Sequence, residues 1–203
     1  EKKTEKEQKD EQKDKKEENI INYDDKRIIL RFGRVKVTQK VEGYIIESKF
    51  GEMESIRNLK YSDSLEFNTD SVWISFPDNS GFPSNIVDNQ FEILHSLQHL
   101  LIKSFVSKGH SDWDDIAGIT QLLNPNSSAP ITFIYDNCVG GIKLAETLYN
   151  EIEDLLRNSY NTISKCPCQS GCRVCLLMKQ YCKENDHNLN KNDTTELLKW
   201  IVN

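Results

Sequence analysis

No run in this sequence approaches the roughly 18 consecutive apolar residues that a membrane span requires, and its first residues contain no apolar core of the signal-peptide kind. No membrane partner is expected, and the chain reads as soluble and cytoplasmic. Basic charge is also short, with 26 Lys plus Arg against 32 Asp plus Glu and a net of −6. Wrapping nucleic acid by bulk charge alone is excluded, because that affinity comes from clustered cations releasing counterions; local basic patches stay open. Equally absent is the P-loop pattern, Gly-x-x-x-x-Gly-Lys followed by Ser or Thr, whose amides and lysine hold nucleotide phosphates. A nucleotide-phosphate site of that kind is not expected in this chain.

Charge dominates the start of the chain. Fifteen of the residues from Glu1 to Ile20 are charged and only the last is apolar, so residues 1–20 read as a linker or tail that joins the body to something upstream. The body, residues 21–203, reads as one α+β domain, antiparallel strands followed by helices, with a small structural zinc loop near the C-terminus. Its strand half spans 21–87 and its helix and zinc half 88–203.

Arg27 to Phe32, Val35 to Gln39 and Val41 to Ser48 are rich in β-branched and aromatic residues. Broken by Gly33 and the Gly43-Tyr44 step, they predict a small antiparallel meander. A further strand is expected at Ser71 to Phe76. From an N-cap at Asp88 or Asn89, a helix should run to about Ser107, with Phe91, Leu94, Leu97, Leu101 and Phe105 in one stripe. Lys108 to Pro130 reads as a long loop with a short helical piece at Asp114 to Leu123. Ile131 to Tyr135 has the pattern of a buried strand, and Ile142 to about Arg157 that of a helix; a last helix, capped by Asp193 or Thr194, presents Leu197, Leu198 and Ile201.

Five of the six cysteines lie between Cys166 and Cys182, and four of them, Cys166, Cys168, Cys172 and Cys175, fall within ten residues. Four thiolates so close can reach one tetrahedral ion at about 2.3 Å if the loop turns tightly. Gly171 permits such a turn and Pro167 stiffens the first pair. With four protein ligands no position is left for water, so the site is structural rather than catalytic. Four thiolates on a divalent ion leave a formal charge of about −2, which suits the nearby Lys165, Arg173, Lys179 and Lys183. A disulfide scaffold belongs to small secreted chains and is the poorer reading. Cys182 is either a fifth, free thiol or a replacement for one of the Cys166/Cys168 pair.

Other residues admit two readings each. His95 and His99 are four apart and share a helical face, as a metal pair would, but Ser96 stands where a zincin needs Glu. They are a hydrogen-bonded, partly buried pair or a contact at a DNA or interdomain surface. Asp136 with the Gly140 and Gly141 amides could present a helix N-terminus to a phosphate, or form a turn that needs glycine. Arg27, Arg31, Arg34, Lys36 and Lys40 make either a DNA-backbone-contacting edge or a charged sheet edge that resists aggregation. Asp112-Trp113-Asp114-Asp115 reads as a solvated loop or cap, and no carboxylate cluster supports a nuclease.

Cys166-Pro167-Cys168-Gln169-Ser170-Gly171-Cys172-Arg173-Val174-Cys175 resembles the cysteine signature of the zinc-binding C-terminal domain (MZB) of the MrfA-type DNA repair helicases of superfamily two. Leu94-His95-Ser96-Leu97-Gln98-His99 is similar to that family's His-x-x-x-His helix. Asp114-Asp115-Ile116-Ala117-Gly118 falls where the family has an acidic residue, Ile and Gly. Phe133-Ile134-Tyr135-Asp136 before Gly140-Gly141 is similar to its strand and glycine turn. Gly33-Arg34-Val35, Gly43-Tyr44 and Thr69 to Trp73 resemble its N-terminal strands. Together these cover most of Arg27 to Lys191. The chain departs from the pattern at Cys138-Val139, where the family has Tyr-Pro, at Lys143, where it has Gly, and at Asn190-Lys191, where it has an acidic residue before Lys.

The resemblance implies an accessory module of an ATP-dependent DNA helicase acting in repair, with DNA and a superfamily two motor, in cis or in trans, as partners. Zinc would pin the cysteine loop against the last two helices and keep a rigid surface that guides the strand or couples the motor lobes. The alternative is a stand-alone interaction subunit of a repair or defence complex that binds a separate ATPase.

Overall fold

The computed structural model describes residues 17–23, 26–47, 53–76, 83, 85–122, 130–178, 182 and 189–202. Five strands form one antiparallel sheet: β1 (Glu17–Tyr23), β2 (Lys26–Glu47), β3 (Met53–Ser75), β4 (Ile116–Leu122) and β5 (Pro130–Asp136), in the order β1-β2-β3-β5-β4. Four helices follow or interrupt them: α1 (Gln90–Ser107), α2 (Leu144–Asn150), α3 (Ile152–Lys165) and α4 (Lys191–Val202). The expected α+β arrangement is the one observed. Among the described residues no helix is long and apolar enough to cross a membrane.

The expected meander is instead one long ribbon. β2 continues for 22 residues and pairs with β3 from Ile29 to Glu47, because Gly33 stays in the ladder opposite Ser71. A Cβ there would lie 3.4 Å from the Trp73 ring, in van der Waals contact. At Gly43 the pairing only shifts register, so a bulge replaces the expected turn. β5 pairs β3 at Ser71–Ser75, so the distal part of the ribbon extends beyond the five-strand region. β1 begins at Glu17 and therefore takes in four residues that the charge pattern assigns to the tail.

Residues 114–122 are not helical, and the end of the expected helical piece, Leu123, lies outside the described residues. Ile116 to Leu122 form edge strand β4, paired residue for residue with β5. Ile116, Ile119 and Thr120 are β-branched and lose rotamer freedom in a helix, while Gly118 lowers helix propensity further. The same glycine admits α1, since a Cβ at Gly118 would lie 2.7 Å from the Gln98 side chain.

α1 is the central helix, as its stripe predicts. Leu94, Leu97, Leu101, Ile102 and Phe105 are fully buried in one core with Leu30, Val72 and Ile74 of the sheet and Leu155, Ile163, Leu197 and Ile201 of the other helices. Each such aliphatic side chain contributes about 1.5–3 kcal/mol. Its entry differs from expectation: a 3-10 turn at Val87–Asn89 precedes it and neither expected cap acts. Asn89 donates from Nδ2 to Asp193 Oδ2 of α4 at 2.7 Å instead. The expected helix to Arg157 is two helices, broken at Glu151, whose carboxylate takes Lys108 Nζ at 2.9 Å and His110 Nε2 at 3.1 Å. For α4 the cap is Asn190, whose Oδ1 accepts the Asp193 N–H, rather than Asp193 or Thr194.

Candidate metal centre

After α3 the described residues 166–178 form no helix or strand that would satisfy their backbone, and the four clustered cysteines occupy that stretch. α3 ends where Cys166 turns extended (φ −75°, ψ 123°). Gly171 takes φ +109°, a conformation that L side chains rarely adopt, and reverses the loop before Cys172. The N–H groups of Leu176 and Leu177 both donate to the Cys172 carbonyl, at 2.8 and 3.0 Å, closing a tight turn around the last two cysteines.

All four sulfurs converge. Cys166 Sγ is 3.5 Å from Cys168 Sγ and 3.6 Å from Cys172 Sγ; Cys175 Sγ is 3.5 Å from Cys168 Sγ and 3.9 Å from Cys172 Sγ. A regular tetrahedron with metal–sulfur bonds of about 2.3 Å has edges of about 3.8 Å, whereas a disulfide needs sulfurs at about 2.0 Å. The spacing fits a four-thiolate ion and fits no disulfide.

The electrostatics agree. Backbone N–H groups of Cys175 and Val174 pull the Cys172 thiol down to about 6. Burial pushes Cys175 up to about 12. At Cys168 burial acts upward, but hydrogen bonds with Cys175, Cys166, the Gly171 N–H and Lys191 outweigh it and its pKa is lowered. Four thiolates held this close repel one another, and a divalent cation supplies the missing positive charge.

A cation already faces the cluster, and it is not one that proximity in sequence suggests. Lys191, at the first turn of α4 and only 9 % exposed, donates from Nζ to the carbonyls of Cys166, at 2.8 Å, and of Cys168, and to Cys168 Sγ at 3.4 Å. Lys165 and Arg173 are exposed, while Lys179 and Lys183 lie outside the described residues. Only its place beside Asn190, in the family pattern, singles Lys191 out in the sequence.

The remaining expected sites fare differently. His95 and His99 are 1 % and 0 % exposed on α1, which removes them from any surface that DNA could touch in this domain. His95 Nε2 lies 3.2 Å from Cys182 Sγ, so Cys182 stands with the histidines, not among the four cysteines. Asp136 is fully buried, and its carboxylate accepts the N–H groups of Ile142 (2.5 Å), Leu144 (3.2 Å) and Ala145 (2.7 Å). A phosphate is thereby shut out of that helix start, since its donors are taken and a carboxylate would repel it. Gly140 and Gly141 have positive φ and donate to Asn68 O and Cys138 O, so they serve the turn. Arg34 is half-exposed; its Nη2 donates to Gly140 O at 3.0 Å and its Nε lies 3.8 Å from Asp70. Beside the cysteine loop a groove of about 550 Å³ is lined by Lys103, Trp113, Asn158, Asn161 and Arg173.

The family model of the MrfA Zn-binding domain (MZB) matches residues 97–176, a span from mid-α1 through all four clustered cysteines. An uncharacterized protein of Methanocaldococcus jannaschii, MJ1572.1, is 34% identical over 86 residues, 41% of this chain and 77% of that protein. The chain belongs to the MrfA zinc-binding domain family. The uncharacterized ATP-dependent helicase YprA of Bacillus subtilis (strain 168) is 32% identical over 65 residues, 32% of this chain but 9% of that helicase. The fold is shared with the crystal structure of the DUF1998 helicase MrfA bound to DNA, at a TM-score of 0.60 and 19% identity over 93% of this chain and 25% of that one. The crystal structure of DUF1998 helicase MrfA alone gives 0.51 and 17%, over 91% and 23%. The chain thus spans a small part of the helicases it resembles.

Proposed function

We propose that this MZB domain is the C-terminal accessory module of an ATP-dependent DNA helicase that acts in DNA repair, and that Cys166, Cys168, Cys172 and Cys175 hold one structural zinc ion. The observation that carries the reading is the closed set of four converging sulfurs backed by Lys191. Zinc there supplies cross-linking and charge, and no open coordination position for chemistry. ATP and magnesium belong to a motor upstream or on a partner chain, because the sequence has no P-loop.

The domain's part is to keep a rigid surface beside that motor. Zinc holds the loop against α3 and α4, and Lys191 ties α4 to the same loop. The neighbouring groove offers an exposed Arg173, amides from Asn158 and Asn161, and the Trp113 ring, the donor and stacking groups that a single strand uses. Guiding the translocating strand follows from that lining; coupling the motor lobes is the other service such a surface can perform.

A free-standing subunit that binds a separate ATPase is the second reading, favoured by the archaeal relative, most of whose length this chain matches. One experiment tests both. The protein is recovered from its host at native levels with metal retained, and peptide mass spectrometry identifies what it is joined or bound to. Peptides running into a P-loop ATPase are expected, with ATP-dependent strand separation by the whole assembly. A separate ATPase shifts the answer to the subunit, and a chain with no ATPase overturns both readings.

A further inference from the structure

A second group of metal-ligand side chains lies outside the four-cysteine loop. His95 and His99 occupy successive turns of one face of α1, and Cys182 is brought against them from 87 residues away. Their ligand atoms all lie within 4.8 Å of one another. The two rings are 4.7 Å apart at their centroids and inclined at 79°, edge to face.

The tautomer of His99 is set by its neighbour. Its Nδ1 lies 2.9 Å from the Leu176 carbonyl, which can only accept, so Nδ1 carries the proton and Nε2 keeps its lone pair. This is how metal-bound histidines are usually oriented, with one nitrogen donating to a backbone oxygen and the other on the ion. Leu176 follows Cys175 directly, and its own N–H donates to Cys172 O. One residue therefore joins the four-cysteine loop to the imidazole of the second group. His95 reaches Cys182 Sγ through Nε2.

We infer that His95, His99 and Cys182 form a second site for a divalent transition-metal ion of zinc's class, separate from the four-cysteine site. Two neutral imidazoles and one thiolate are borderline-to-soft ligands, suited to zinc or cobalt and unsuited to magnesium or calcium. With metal–nitrogen bonds of about 2.05 Å and a metal–sulfur bond of about 2.3 Å, tetrahedral geometry needs separations of about 3.4–3.6 Å. Side-chain rotations that move the ligand atoms by about 1 Å bring the three to those values. Among the described residues three side chains supply ligands. The ion would fasten the segment that carries Cys182 to the central helix, as zinc fastens the loop before it.

The test is metal stoichiometry of the full 203-residue chain. The protein is equilibrated with excess zinc, desalted, and weighed by native mass spectrometry beside Cys182→Ser and His95→Gln. Two zinc ions per wild-type chain and one in each variant are expected. Cobalt loading should show the variants keeping the intense thiolate absorption of a four-sulfur site while losing the weaker one-sulfur contribution. Because Leu176 links the sites, Cys172→Ser should lower occupancy at both. One ion in the wild type, unchanged by Cys182→Ser, overturns the proposal and leaves a thiol–imidazole hydrogen bond. Two ions retained in both variants overturn it as well, and place the second ion elsewhere. A folded charge-state distribution, read in the same spectra, separates loss of a ligand from loss of the fold.

Discussion

The sheet and the cysteine loop share one hydrophobic core yet are secured by different forces. Between β2 and β3 the backbone is paired from Ile29 to Glu47, and Leu30, Val72 and Ile74 seal the inner face. Farther out, exposed side chains suffice, such as Lys36 and Glu66 at 2.6 Å, a solvent-screened pair that contributes little. Residues 166–178 have no such ladder. Their shape rests on converging sulfurs, on two amides donating to Cys172 O, and on a lysine brought from α4. A ladder tolerates polar substitution along its edge; a loop built on a few charged atoms does not.

Removing one sulfur should strain that contrast most. Cys172→Ser is expected to lose the four-cysteine zinc, and binding at such sites carries roughly 10–16 kcal/mol of apparent free energy. Amide exchange should accelerate across Cys166–Met178 and α4, while β3 and β5 keep their protection at Ser71–Ser75 and Ile131–Tyr135. Equal loss of protection in sheet and loop would break the comparison, and would mean that the core does not fold without the ion.

Lys191→Met comes next. It keeps the aliphatic length but deletes an amine that donates to two carbonyls and a thiolate. We expect a loss of about 2–3 kcal/mol in urea unfolding and zinc affinity weaker by about 10–100-fold in chelator competition. Lowered stability with unchanged affinity would detach Lys191 from the metal centre and assign it to α4 alone.

Smallest is Asp70→Asn, on the sheet side. Burial raises the Asp70 pKa, with Arg34 pulling it down and Asp136 and Glu146 adding to the rise. A folded pKa above the unfolded one means that the proton favours the fold. That contribution is present below the unfolded value and is lost as pH rises through the folded value. At neutral pH the ionised carboxylate therefore works against folding. The amide should leave thermal stability unchanged or raise it by under about 1 kcal/mol near pH 7, and should flatten the stability profile just above the ordinary Asp range. A fall of several degrees at neutral pH would show that the exposed edge depends on single charges as the loop does.

Legibility in the sequence divided along similar lines. α1 could be read because its stripe runs for about four turns and every stripe position from Leu94 onward is buried. The four-cysteine loop could be read because its ligands are near neighbours in the chain. β4 could not: seven residues carry too little periodicity, and their conformation comes from pairing with β5. The ribbon was misread at Gly33 and Gly43 because glycine is equally at home in a turn and in a ladder that passes close to a side chain or a backbone. His95 and His99 were legible as a pair on one face, but burial, which decides whether they meet DNA or the interior, is a property of what packs on α1.

Local order along the chain therefore determined the four-thiolate cluster, since four sulfurs within ten residues need only one permissive glycine, Gly171, to meet. It also determined the α+β class, through the period of its apolar residues. Tertiary structure alone decided that Lys191 faces the sulfurs, that Asp136 closes the start of α2 against anions, and that Cys182 joins His95 and His99. The physical reason is range. Spacing encodes only contacts that a turn or a helix face can make, whereas these three depend on α1, α4 and the sheet being pressed together by the core they share.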